Sequence, residues 1–302
     1  MISAQTIVVE KPEFRALVAE DAAVEKIAGG FKFVEGPTWN PVDHFLVFSD
    51  IPADTLYKLD PATNAVSVFR PKCSQARQAN GNRYDAQGNL WSCEHATHQV
   101  LVMPRDGTMV RIIADQFAGR AFSSPNDVAI KSDGSVWFTD PTYGLGKRQR
   151  ELEANDVYRY DQKIRQLSVA ATDFEQPNGI CFSPDEKLLY IADSGKPRHI
   201  RVFDVTADNA LTNGRVFCAI DKGVPDGIRC DAAGNVWSSA GDGVQVFNPA
   251  GERLGRILAP ESPANLSFGA VDPQGNCDLY LTARTSLYRV KVKVAGAPIV
   301  QR

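Results

Sequence analysis

The 302-residue chain has a formal net charge of -3 and 43% apolar residue types, enough for one large domain or two ordinary ones. Lysine and arginine are scattered and the pI is near 5.9, so the electrostatic footprint of a nucleic-acid binder is missing. No apolar run approaches membrane-spanning length, and Cys73, Cys93, Cys181, Cys218, Cys230 and Cys277 form no CxxC pair, which disfavours zinc and redox motifs and predicts reduced, buried thiols.

Taken in chain order, Met1-Ile2-Ser3-Ala4-Gln5 runs into Glu10, Lys11 and Glu13 without the apolar core of a signal peptide, which predicts a cytoplasmic protein. Residues 1–23 read as an extension, with a helix conceivable only from Arg15 to Val24. A repeat then begins. A polar residue, a strand, an Asp/Gly turn and a return strand ending in a carboxylate recur, with turns at Asp43, Gly88, Gly134, Glu186, Gly234 and Gly275. Eight residues before each turn stand Glu35, Asn80, Asn126, Asn178, Asp226 and Ser267.

Trp91, Trp137 and Trp237 follow their polar positions by eleven residues, and Tyr190 follows Asn178 by twelve; their place predicts packing between repeats. A further alternating strand comes later in the repeat, as in Leu56-Tyr57-Lys58-Leu59-Asp60 and Val157-Tyr158-Arg159-Tyr160-Asp161. Turns 41 to 52 residues apart match one four-stranded blade, so the fold class is an all-β, six-bladed propeller over residues 24–292 of a single domain. Val24 to Ala28 would close the ring beside Leu287 to Val292.

Innermost strands of a propeller begin beside its axis, so the polar register should converge there, near the return-strand ends Asp50, Glu94, Asp140 and Asp193. Glu35 and Asp226 crowded together resist joint ionisation unless a cation intervenes. With Asn126 and Asn178 they form a hard-oxygen metal set, suited first to Ca²⁺, with Mg²⁺, Mn²⁺ or Zn²⁺ as alternatives. Asn80, Glu94, His95 and Asn126 are candidate substrate contacts, and His95 follows Glu94 at the channel end of its strand.

Glu35-Gly36-Pro37, Ser124-Pro125-Asn126-Asp127, Gln176-Pro177-Asn178-Gly179 and Val224-Pro225-Asp226-Gly227 resemble the axial motifs of the SMP-30/gluconolactonase/LRE family over Ile27 to Val292. Asp133-Gly134-Ser135-Val136-Trp137-Phe138-Thr139-Asp140-Pro141 is similar to its bacterial gluconolactonases. The resemblance implies a catalytic divalent metal on Glu35, Asn178 and Asp226, with Asn126 on metal or substrate, and Ser124 where animal members carry arginine. It implies hydrolysis of a small sugar lactone such as gluconolactone, by a monomer or weak homodimer. Asp226 is expected as ligand and general base, with His95 as the fallback base. Gly-x-Ser-x-Gly is absent, which disfavours a covalent serine route. A metal-dependent phosphotriesterase and a non-catalytic binding platform are the alternatives.

Overall fold

The protein is described from a computed structural model over residues 6–299. Six antiparallel blade sheets succeed one another along the chain, with a two-stranded hairpin, Gln116–Phe117 and Arg120–Ala121, between the second and third. From the innermost strand outward, blade 1 is Val34–Trp39, Leu46–Asp50, Thr55–Asp60 and Ala65–Arg70, and blade 2 is Ala79–Tyr84, Leu90–Glu94, Gln99–Met103 and Arg111–Ala114. Blade 3 is Val128–Ile130, Val136–Thr139, Asn155–Asp161 and Gln166–Phe174, and blade 4 is Pro177–Phe182, Leu188–Asp193, His199–Val205 and Leu211–Ala219. Blade 5 is Ile228–Cys230, Val236–Ala240, Gly243–Phe247 and Arg253–Leu258, and blade 6 starts from Pro263–Val271, Cys277–Ala283 and Ser286–Val292. Each innermost strand packs on the next, and that of blade 6 returns to blade 1.

The ring closes as the pattern predicts: Val24–Gly29 completes blade 6, with Val24 opposite Val290 and Gly29 opposite Ser286. The stretch read as an extension does more than precede the ring. Ile7–Val9 pairs with Arg253–Leu258 as a fifth strand of blade 5, and Phe14 is fully buried in the core shared by blades 5 and 6. The α-helix considered for Arg15 to Val24 does not form; one short 3-10 turn, Pro12–Ala16, overlaps only its first two residues.

Local chemistry explains the repeat. Gly88, Gly134, Gly234 and Gly275 hold φ between 82° and 88°, the left-handed conformation that a tight turn requires and a Cβ disfavours. Trp91, Trp137 and Trp237 are buried between neighbouring blades, and their indole N–H groups donate to Asp85, Ser135 and Asp231. All six cysteines are free thiols, five of them buried.

A glycine follows most of the axial polar residues because the neighbouring blade passes too close for a side chain. A Cβ on Gly36 would sit 1.9 Å from the Asn80 carbonyl oxygen, and one on Gly179 would sit 2.3 Å from that of Asp226. This closeness lets Gly81 N–H donate to the Asn126 carbonyl at 2.8 Å and Gly179 N–H to that of Asp226 at 3.0 Å. Blade 6 corrects the register read from sequence. Gly227 N–H donates to Ala264 and Leu266 pairs with Leu281, so Ala264, not Ser267, holds the sixth axial place.

Among the described residues no helix is long and apolar enough to cross a membrane.

Candidate active site

The axial register and the loops after the return strands enclose one cavity of about 370 Å³. Glu35, Asn80, Asn126, Asn178 and Asp226 line it, each presented at or beside the start of an innermost strand and held by the inter-blade backbone contacts. His95 enters from the loop after Leu90–Glu94, and Asn80 Nδ2 lies 3.0 Å from its Nε2. That bond assigns Nε2 as acceptor and leaves the ring proton on Nδ1.

Burial and the adjacent Glu35 and Asp127 carboxylates push Asp226 well above the usual carboxylate range. Burial likewise raises Glu35, against the short hydrogen bond from the Gly36 N–H, and Asp127 adds to the rise. Two buried acids that oppose each other's ionisation have the electrostatics of a cation site. The amides agree: the Oδ1 atoms of Asn178 and Asn80 are buried without a hydrogen-bond partner. Two carboxylates with amide oxygens suit a hard divalent ion better than zinc, and among the described residues no group of three or more His, Cys, Asp or Glu side chains is arranged to hold a metal ion by itself.

The return-strand carboxylates take a different part from the one expected of them. Asp50 accepts the N–H groups of Lys32 and Phe33, Asp140 those of Ser123 and Ser124, and Asp193 those of Glu175 and Gln176. They brace the segments that lead into the axial residues. Glu94, expected against substrate, is not in the cavity wall; it is fully buried, paired with Arg70 at 2.8 Å and accepting from Thr97.

The wall also contains residues that the sequence reading did not single out: Phe33, Ile51, Pro52, Tyr143, Ser194 and Val224. Ile51, Pro52, Tyr143 and Ser194 share one signal with His95, since each lies one to three residues after a return-strand carboxylate. Ser124 supports this wall from behind. Its hydroxyl donates to the Pro141 carbonyl at 2.7 Å and accepts the Gly144 N–H at 2.9 Å, fixing the loop that carries Tyr143.

Burial, with His98 and Arg148 nearby, lowers the His95 pKa to about 4. The ring is therefore neutral throughout the physiological range and gains its proton only as pH falls toward 4. An unfolded-chain histidine already takes that proton near pH 6.5, so stability should fall as pH drops through this interval. NMR titration of the His95 ring is expected to show no inflection between pH 5.5 and 8. A midpoint near 6.5 would contradict the buried, Asn80-bound ring.

A six-bladed propeller whose axial acids and amides gather in one cavity defines the class of protein. Residues 33–285 match the SMP-30/gluconolactonase/LRE-like region, and the chain belongs to that family. It is 29% identical to the gluconolactonase of Zymomonas mobilis, over 94% of this chain and 85% of the relative. A solved gluconolactonase of Xanthomonas campestris is 31% identical with a TM-score of 0.86, covering 96% of each chain. A calcium-binding regucalcin of Agrobacterium tumefaciens shares the fold at 18% identity and a TM-score of 0.73, covering 93% of this chain and 96% of that one.

Proposed function

We propose that this chain is a lactonase that opens a small sugar lactone to the aldonic acid, with a divalent cation, calcium first among the candidates, held by Glu35, Asn126, Asn178 and Asp226. The observation that carries this reading is the convergence of those four residues with Asn80 and His95 on one cavity. When bound, the ion supplies Lewis-acid polarisation of the ester carbonyl and stabilises negative charge developing on its oxygen.

The protein's own groups supply the rest. Asp226, a carboxylate in the cavity wall beside the proposed ion, is the candidate general base for the attacking water. Asn80 and neutral His95 offer an amide and an imidazole N–H to ring hydroxyls. Phe33, Ile51, Pro52 and Val224 form an apolar wall that excludes bulk water and packs against the C–H face of the sugar.

A panel of aldonolactones and simple lactones, assayed on chelator-treated protein and after restoring Ca²⁺, Mg²⁺, Mn²⁺ or Zn²⁺, tests the proposal. Sugar-lactone turnover that vanishes with chelation and returns with one of the ions is expected. Turnover of a phosphotriester in the absence of lactone hydrolysis would replace this reading, and metal-independent turnover would remove the cation from it.

A further inference from the structure

Three residues beyond the axial positions a second tier faces the channel: Thr38, Arg83, Cys181, Arg229 and Ser267 follow Glu35, Asn80, Asn178, Asp226 and Ala264. These side chains line cavities at the other end of the channel, the larger of about 160 Å³. The C-terminal segment lies across it, with Ala297 N–H donating to the Cys230 carbonyl at 2.9 Å and Ala232 N–H to that of Ala295.

Blades 2 and 5 stand opposite each other in a ring of six, so Arg83 and Arg229 approach the axis from opposite sides. Arg229 is only 3% exposed. Its Nη1 donates to Asp127 Oδ2 at 3.0 Å and to the Ile228 carbonyl at 2.7 Å, while Nε and Nη2 are buried without a partner. Asp127 has little left to give, since its Oδ1 accepts the Val128 N–H. Arg83 makes no ion pair among the described residues, and burial with Arg229 nearby holds its pKa down to about 10.

Among the described residues Asp127 is thus the only carboxylate in ion-pair contact with either guanidinium, Glu35 acting on Arg229 from beyond contact distance, and Arg83 is left without an ion-pair partner. We propose that this second tier binds a small inorganic oxyanion of the phosphate or sulfate class between Arg83 and Arg229. Planar guanidinium forks match the paired oxygens of such an ion, and Arg229 holds two donors in reserve for it. The cavity of about 160 Å³ has room for several waters' worth of ligand atoms, one water needing about 10–15 Å³. The inference rests on the channel alone and stands or falls independently of the lactonase reading.

Thermal melting of the purified protein, titrated with sodium phosphate against sodium chloride at constant ionic strength, tests it. A saturable rise of several degrees is expected for the wild type, no rise for Arg83→Met, and a midpoint about fivefold higher for Arg83→Lys, which keeps the charge and loses the fork. No rise in the wild type, or the same rise in Arg83→Met, overturns the proposal. Should Arg83→Met fail to fold, wild-type crystals soaked in selenate decide the matter. Anomalous selenium density between Arg83 and Arg229 is expected, and density only elsewhere rejects the site.

Discussion

Asp226→Asn is expected to lower lactone turnover by about 10² or more, even at saturating divalent ion, the scale of general-base catalysis. Asparagine keeps an oxygen and nearly the same volume, and the backbone carbonyl that accepts the Gly179 N–H is untouched. What it removes is one negative charge and one proton acceptor. Asparagine serves as well as aspartate in a turn, so a purely structural Asp226 would leave activity intact. If Asp226 were only a ligand, excess Ca²⁺, Mn²⁺ or Zn²⁺ would restore most of the rate. Stability should move the other way: with burial and Glu35 both opposing the Asp226 charge, the chelator-treated variant should melt no lower than wild type. Full metal rescue would remove the base assignment from Asp226, and the buried, Asn80-bound His95 ring is poorly suited to take it over.

The second large effect is on the fold. Gly36→Ala should cost on the order of 3–5 kcal/mol or abolish folding, because the new methyl group meets backbone that has nowhere to go. Gly36 has φ +52°, and its Cβ would lie 1.9 Å from Asn80 O and 2.7 Å from Asn82 Nδ2. Gly30 separates crowding from backbone conformation: its φ is +90° with nothing within 4 Å of a Cβ, so Gly30→Ala should cost only about 1–2 kcal/mol. Urea denaturation of both variants gives the comparison. Equal losses would mean that the close approach of blades 1 and 2 is not what demands glycine.

The ring was legible because the offset between polar residue and turn is imposed by hairpin geometry, which blades 2, 3 and 5 repeat. Blade 6 misled for a physical reason. Its innermost strand runs nine residues with a register shift between Phe268 and Val271, so counting back from Gly275 lands at Ser267, three residues too far along. Ile7–Val9 was invisible because three apolar residues make no period. The axial side chains were readable from position alone. The return carboxylates were not, since position gives the end of the channel but not whether a side chain turns to the axis or back onto N–H groups. His95 was found by the rule that also places Tyr143 and Ser194, and only its chemistry drew attention to it.

The closure of blade 6 sets an order on how this chain comes to be folded. Val24–Gly29 leaves the ribosome long before its partner Ser286–Val292, with the other five blades made in between. Until then an edge strand stands open, with its N–H and C=O groups available to any other chain. The entropic cost of joining such distant ends grows only logarithmically with separation, so the delay is a matter of time more than of final stability. Nascent chains stalled before residue 286 should therefore be the aggregation-prone species, and a circular permutant beginning at residue 30, with Val24–Gly29 moved behind Val292, should fold from a self-contained sixth blade and escape that interval.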